Sequence, residues 1–169
     1  LLHARIVPDG GDTSFCSQVL AARTLPDELR QQVAGRRIKH DSTYTSAGML
    51  RPGMVPPATP VEAIGHPHPI LRRLPGSDHE ALFLGRRTNA YVEGLALDAS
   101  EALLDALWEH ATQDAFTYRH RWTVGEVVVW DNRVVMHCRH PFEPTQTRFM
   151  WRTQTKGEPV LAATSPSVA

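Results

Sequence analysis

The sequence predicts a domain built mostly from β-strands, with two or three helices packed outside the sheet. Three observations indicate this class. Short apolar runs with alternating polarity recur along the chain, one segment around Trp108 has helical spacing, and the proline-rich residues 41–69 exclude long regular elements there. The periodicity by itself predicts a mixed, mostly antiparallel sheet.

The composition limits the kinds of partner. The 169 residues suffice for one domain with its own core, and 18 Lys plus Arg balance 18 Asp plus Glu. We therefore expect no nucleic acid and no membrane surface among the partners, but small molecules or protein chains. There is no apolar run of bilayer length and no signal-peptide core, so we predict a cytoplasmic protein. Cys16 and Cys138 are too few for a disulfide framework and are expected to be free thiols.

The first 40 residues predict two strands separated by two helices. Pro26 suits a first helical turn with acids behind it, and Gly35 suits the end of that helix. The glycines of the first turn can adopt positive φ. The predicted elements are a strand at 1–7, a turn at 8–11, helices at 17–24 and 25–35, and a strand at 36–40.

Residues 41–69 are predicted to be irregular. Six prolines and three glycines there forbid long regular elements; they are Pro52, Pro56, Pro57, Pro60, Pro67, Pro69, Gly48, Gly53 and Gly65. A structureless segment of this length in a compact domain is usually functional or mobile. Two interpretations stay open, a lid over the substrate side of a pocket and a surface insertion.

The middle of the chain predicts a hairpin and a helix. The hairpin covers 72–84, and the helix has its cap at Asp98, an acid three residues later at Glu101, and apolar residues at helical spacing up to Ala111. A strand is predicted at 116–122, and the tail 158–169 is expected to fray.

The stretch 124–155 carries the chemistry. Its apolar runs around Val128 and Val135 predict two strands joined by the polar turn 131–133, a hairpin-like unit. A later run alternates charged and bulky residues, so that Arg148 and Arg152 share one face of a strand.

These residue types suit a metal and two anions. An imidazole at a strand end, such as that of His137, can bind a metal, and guanidinium groups can hold carboxylates or sulfonates bidentately. Other histidines compete with His137 as metal ligands. They are His140 three residues later, His120 in a predicted strand, and the pair His66 and His68 around a proline.

The order of these residues resembles a known family. The sequence WDNR, then His137, Arg148 and Arg152, is similar to the C-terminal motif of the iron(II) and 2-oxoglutarate-dependent dioxygenases of the taurine dioxygenase and 2,4-dichlorophenoxyacetate dioxygenase group. GGDTSFC at 10–16 and FTYRHRWTVGEVVVWDNR at 116–133 also resemble that group. The resemblance covers roughly residues 1–157.

The resemblance implies a fold and a set of roles. The fold would be a double-stranded β-helix, or jelly roll, incomplete at its N-terminus. His137 would be the distal histidine of the Fe(II) site, and Arg148 with Thr13 would bind the far carboxylate of 2-oxoglutarate. Arg152 would face the anionic head of the substrate, and Trp130 would line the pocket next to the metal.

The implied reaction is an oxidation by O2. The resembling enzymes hydroxylate a small organic anion, of aryloxyalkanoate or sulfonate type, coupled to decarboxylation of 2-oxoglutarate to succinate. GGDTSFC and YRHRWTVGEVVVWDNR look closer to the aryloxyalkanoate members, so we expect a substrate with a carboxylate.

One departure from the family bears on the iron. Its facial triad takes two histidines and one carboxylate, and the first two ligands come as His-x-Asp or His-x-Glu. No histidine of this sequence has an acid two residues later. The family places that motif before GGDT, and the sequence in hand begins at Leu1, so it supplies one ligand of three.

Two alternatives follow from this departure. One is a non-catalytic, truncated β-helix chain that binds an organic anion or a partner subunit without iron. The other is a cupin-like isomerase or metal-binding barrel that uses His66 and His68. A barrel lacking strands would expose edges that pair with other chains, so a homo-oligomer is a further expectation.

Overall fold

Strands dominate the structure, a computed structural model that describes residues 1–45, 48–85, 88–157 and 159–163. Its helices are α1 at Gln18–Arg23, α2 at Asp27–Val33 and α3 at Leu97–Ala111, and a short 3-10 helix follows at Asp114–Phe116. The strands are β1 Leu2–Ile6, β2 Thr13–Ser17, β3 Arg37–Lys39, β4 Pro67–Pro69, β5 Leu71–Arg73, β6 Glu80–Leu82, β7 Tyr91–Val92, β8 Thr117–His120, β9 Val127–Val128, β10 Val135–Arg139, β11 Phe149–Arg152 and β12 Leu161–Ala162.

The strands form small antiparallel sheets. Within the described residues there are four sheets of three strands, with the orders β11-β1-β9, β10-β2-β8, β12-β5-β6 and β4-β3-β7. Every pair of neighbours is antiparallel. The prediction of a mostly antiparallel, strand-rich chain with a few helices is therefore confirmed.

The predicted hairpin in 124–155 is wrong. β9 pairs with β1, whereas β10 pairs with β2, so the two strands lie in different sheets. The polar turn between them exists, because the carboxylate of Asp131 accepts from the backbone and side chain of Arg133. The turn carries the chain from one sheet to the next instead of folding it back on itself.

The helices cover one side of the sheets. α3 buries Leu103, Leu104 and Leu107 against residues from α1, α2 and the strands. The core consists of Ala21, Ala22, Leu25, Val33, Ile38, Ile70, Leu82, Leu84, Ala90, Val92, Leu103, Leu104, Leu107 and Ala111. Burial of these apolar side chains supplies the main driving force for packing the helices on the sheets.

The predicted helix boundaries need two corrections. α3 begins at Leu97, one residue before the expected cap, and its N-cap residue Ala96 makes no side-chain hydrogen bond. Asp98 instead accepts from the adjacent Ala99 N–H. Pro26 precedes α2 as its N-cap residue. In α1 the hydroxyl of Ser17 caps the helix by accepting from Leu20 N–H.

The proline-rich segment and the tail are more ordered than expected at two points. Residues 67–69 form β4, which pairs with β3, although most of 41–66 is irregular. In the tail, Leu161 and Ala162 pair with β5, so fraying is wrong for these two residues. Residues 158 and 164–169 of the predicted tail lie outside the described residues. None of the described helices is both long and apolar enough to cross a membrane.

Candidate active site

The pairing of β2 with its neighbours separates two faces. Thr13 lies opposite Arg139 of β10 and His120 of β8, and Phe15 lies opposite His137. Residues of one parity on a strand share a face, so Thr13, Phe15 and His137 point the same way. The residues that alternate with these along β2 and β10 face the helices.

Two contacts identify the helix side. The thiol of Cys16 donates to the carbonyl of Ala111 in α3 at 2.9 Å, and Met136 packs against the helical core. A one-residue shift between β2 and β10 would move His137 to this side. The sheet register therefore decides where the imidazole lies.

His137 belongs to an aromatic cluster. Its ring lies 4.9 Å from that of Trp130 and 6.3 Å from that of Phe15, measured between centroids. Although the side chain is exposed overall, partial burial in this cluster lowers the pKa of His137, and the charges of Arg152 and the N-terminal amine act in the same direction. The neutral imidazole is the form that binds a metal.

Thr13 and Arg148 meet at the same tryptophan. The buried hydroxyl of Thr13 accepts a hydrogen bond from Trp122 Nε1 at 2.9 Å. The guanidinium carbon of Arg148 lies 5.8 Å from the centroid of the Trp122 ring. Trp122 is itself buried, so it holds the two residues beside each other inside the molecule.

Two donors of the Arg148 guanidinium lack an acceptor among the described residues. Its Nε and Nη2 atoms are buried, and within the described part of the chain neither has a hydrogen-bond acceptor. Burial lowers the pKa of Arg148, and the positive charge of Arg139 adds to the effect. Buried donors without an acceptor are costly in free energy. This arrangement suits an anion.

Gly11 makes room for Arg148. A Cβ atom on Gly11 would lie 3.3 Å from Cδ of Arg148 and 3.2 Å from Cδ1 of Phe142, and the φ angle of Gly11 is +65°. A side chain here would crowd the arginine and strain the backbone. The GG of the GGDT motif thus has a local steric role.

Arg152 lies at the end of β11, opposite Leu2 of β1. Its side chain is exposed, and its charge is close enough to lower the pKa of His137. Arg148 precedes β11 and lies four residue steps before Arg152, which in extended chain is about 13 Å. The five residues predicted for the site thus form two connected groups, Thr13 with Arg148 and Trp130 with His137 and Arg152.

The competing histidines have other contacts. His140 Nε2 lies 2.7 Å from the hydroxyl of Ser14. His120 Nε2 lies 3.3 Å from a carboxylate oxygen of Glu126. His68 stacks with His40 and contacts Phe83 edge-on, and burial followed by nearby positive charges lowers its pKa. His66 is exposed.

The residues present do not form a complete metal site. In the parts of the chain that the structure describes, no group of three His, Cys, Asp or Glu side chains is placed to hold a metal ion. His137 can contribute one nitrogen, and the pair His66 and His68 gains no third ligand. The geometry thus fits an anion at Arg148 but not iron held by these residues alone.

A cavity of about 650 Å³ is lined on β2 and β10 by the residues that face the helices and also by His137. Of the five predicted site residues, only His137 lines it; its walls include Ser14, Cys16, Tyr44, Trp108, Met136 and Cys138. It is therefore not the space between Thr13 and Arg148.

Sequence reasoning missed Trp122 and Phe15. Trp122 appeared only as the end of a predicted strand, and Phe15 only as part of GGDTSFC. A buried tryptophan needs an acceptor for its single N–H group, which is a signal in principle. The acceptor, Thr13, is 109 residues away and could not be identified by local pattern.

Comparison with known proteins identifies a family. Residues 1–154 match the family described as "Taurine catabolism dioxygenase TauD, TfdA family". An alpha-ketoglutarate-dependent 2,4-dichlorophenoxyacetate dioxygenase of Cupriavidus pinatubonensis is 35% identical over 172 residues, covering 95% of this chain and 56% of that protein. An (S)-phenoxypropionate/alpha-ketoglutarate-dioxygenase of Sphingobium herbicidovorans is 30% identical, covering 94% of this chain and 57% of that protein.

A solved structure is also similar. The crystal structure of AAD-2 in complex with Mn(II) and N-oxalylglycine superposes with a TM-score of 0.76 at 29% identity, covering 99% of this chain and 64% of that one. The chain spans a little over half the length of the two curated relatives. The family match over 154 of its residues shows that the chain belongs to the taurine catabolism dioxygenase TauD, TfdA family.

Proposed function

We propose that this chain supplies the cosubstrate and substrate anion sites of an iron(II)- and 2-oxoglutarate-dependent dioxygenase with a double-stranded β-helix fold. One observation carries the proposal. Buried donors of Arg148 without acceptors lie near the ring of Trp122, whose N–H group binds the hydroxyl of Thr13, and Thr13 shares a sheet face with His137. Donors that lack acceptors in a buried place are suited to a carboxylate.

The far carboxylate of 2-oxoglutarate is assigned to Arg148 and Thr13. A guanidinium fork can bind both carboxylate oxygens, and the hydroxyl can add a third hydrogen bond. Because Arg139 also places positive charge near Arg148, an anion would relieve the repulsion between the two cations. Holding one end of the cosubstrate fixes the position of its keto acid end.

His137 is assigned as one ligand of Fe(II), with Trp130 and Phe15 walling its ring. The described residues offer no group of three metal ligands, so an iron centre would need ligands from outside them. With iron bound, 2-oxoglutarate would supply two of the four electrons that reduce O2, becoming succinate and carbon dioxide, and hydroxylation of the substrate would supply the other two.

Arg152 is assigned to the anionic head of the substrate. It is exposed at a strand end and its charge acts on His137, so an anion bound there would lie close to the imidazole. The relatives are named for 2,4-dichlorophenoxyacetate and (S)-phenoxypropionate, both aryloxyalkanoates. We therefore infer an aryloxyalkanoate substrate ahead of a sulfonate.

A second candidate function is binding without catalysis. The lack of a three-ligand group among the described residues favours an anion-binding chain that holds no iron. Measuring succinate formation from 2-oxoglutarate in the presence of Fe(II), O2 and phenoxyacetate distinguishes the two candidate functions. Succinate that depends on phenoxyacetate supports the dioxygenase, and binding of 2-oxoglutarate without any succinate supports the second candidate.

A further inference from the structure

We infer that Trp122 is a positioning residue for 2-oxoglutarate, because its indole N–H holds the Thr13 hydroxyl in the orientation that donates to the far carboxylate. This inference rests on the proposed function and adds a residue to it. Trp122 does not contact the reacting atoms in this account and acts through Thr13 and Arg148.

The hydrogen-bond chemistry of the two groups carries the first step. An indole N–H can only donate, and a threonine hydroxyl has one hydrogen and two lone pairs. The bond of 2.9 Å from Trp122 Nε1 therefore occupies a lone pair of Thr13 Oγ1. The hydroxyl hydrogen must point away from the indole, and among the described residues it has no acceptor.

The surroundings make this hydrogen available to a ligand. Thr13 is 2% exposed, so water does not readily satisfy its hydroxyl. The buried Nε and Nη2 atoms of Arg148 lack acceptors as well, and this guanidinium lies over the same indole ring. One tryptophan thus gathers three donors and no acceptor, which favours a carboxylate over a neutral group.

Neighbouring residues hold the indole in place. The ring of His120 contacts that of Trp122 edge-on, with centroids 4.6 Å apart and an interplanar angle of 85°. His120 is in turn 3.3 Å from Glu126, whose carboxylate also accepts from Thr123 N–H at 2.7 Å. The indole therefore has packing on one side and a hydrogen bond on the other, so its orientation is restricted.

The test measures binding of two ligands to the full chain by calorimetric titration. The first ligand is 2-oxoglutarate, and the second is 2-oxopentanoate, which has the keto acid end but no far carboxylate. Trp122→Phe keeps an aromatic ring and removes the N–H group. We expect this variant to weaken 2-oxoglutarate binding about 3- to 10-fold and to leave 2-oxopentanoate binding within about twofold.

A double-mutant cycle separates positioning from packing. We expect Thr13→Val to weaken 2-oxoglutarate binding about tenfold or more, and the double variant Trp122→Phe/Thr13→Val to be no weaker than Thr13→Val alone. Thr13→Val also leaves the indole N–H buried without an acceptor, so its thermal stability should fall and recover partly in the double variant. Trp151→Phe is the matched control. Trp151 is exposed and lies on the sheet face opposite to Arg152.

The outcomes distinguish the inference from the proposed function. If Trp122→Phe weakens both ligands equally, or neither, or adds its full effect to that of Thr13→Val, the positioning role is overturned. If the unaltered protein does not prefer 2-oxoglutarate to 2-oxopentanoate, the carboxylate site at Arg148 fails, and the inference fails with it.

Discussion

Phe15 and His137 are direct partners across β2 and β10, and their rings stack with centroids 6.3 Å apart. This relationship places the imidazole on the sheet face that carries Thr13, away from the helices. Trp130 completes the cluster from the other side, at 5.0 Å from Phe15 and 4.9 Å from His137. The orientation of His137 is therefore set by sheet register and by aromatic packing together.

Arg148 and Arg152 should have separate roles. We expect Arg148→Ala to weaken 2-oxoglutarate binding about 10- to 100-fold, since a buried charged hydrogen-bond donor is lost. Arg152→Ala should weaken binding of phenoxyacetate about tenfold and leave 2-oxoglutarate nearly unchanged. Equilibrium titration of each variant with each ligand checks this.

The control for these two variants is Arg5→Ala. Arg5 lies over the ring of Trp151 at 4.1 Å, on the face of the sheet opposite to Arg152, so its loss should affect neither ligand. Equal effects of Arg148→Ala and Arg152→Ala on both ligands would refute the division of roles.

Arg148 should lower the stability of the ligand-free protein. Its buried nitrogen atoms have no acceptor within the described residues, so replacing it with an apolar chain of similar length removes two buried donors without acceptors from a partly buried cation. We expect Arg148→Met to raise the free energy of unfolding of the ligand-free protein by about 1 kcal/mol. Calorimetric unfolding without added anions measures this, and a clear loss of stability would contradict it.

His68 should make the protein less stable in mild acid. Burial and the charges of Arg37, His66 and Arg72 lower its pKa from the ordinary value of 6.5, so below 6.5 the unfolded chain binds a proton more readily than the folded protein. The stabilisation is complete above pH 6.5 and is lost as the pH falls toward the folded-state pKa. We expect His68→Phe to show a smaller loss of unfolding free energy between pH 7 and about pH 5.

The matched control is His79→Gln, on an exposed histidine whose charge is not among those that lower the pKa of His68. His137 also has a lowered pKa and contributes in the same direction, but it is present in both variants and cancels. Parallel pH profiles for His68→Phe and the unaltered protein would rule out this role of His68.

Gly65 should tolerate no side chain. A Cβ atom there would lie 1.8 Å from the backbone oxygen of His40, and a backbone group cannot move aside like a flexible side chain. We expect Gly65→Ala to lower the free energy of unfolding by about 1–3 kcal/mol, measured by urea unfolding. Gly157→Ala, where no atom lies within 4 Å, should change it by less than about 0.5 kcal/mol.

Local pattern predicted the positions of most elements but not their partners. The strand at 1–7, both N-terminal helices and the helix ending at Ala111 follow from periodicity, proline and glycine, and they match the structure within a few residues. The hairpin failed because a polar turn between two apolar runs looks the same whether the strands pair with each other or with distant ones. β1 and β2 are more than 100 residues away from β9 and β10 along the chain.

Alternation of residues along a predicted strand could predict only part of the site. That Arg148 and Arg152 share one strand face stays a prediction, because β11 begins at Phe149 and does not include Arg148. Their roles came from family resemblance and stay proposals. The buried unpaired state of Arg148 and its contact with Trp122 depend on tertiary packing. The placement of His140 also depends on tertiary packing, because its ring nitrogen is hydrogen-bonded with the hydroxyl of Ser14.

The most direct measurement is a crystal structure of the protein with 2-oxoglutarate. We predict that the far carboxylate lies within hydrogen-bond distance of Arg148 Nε and Nη2 and of Thr13 Oγ1, with the keto acid end directed toward His137. A ligand found instead in the cavity bordered by Cys16, Met136 and Cys138, with Arg148 still unpaired, would contradict it.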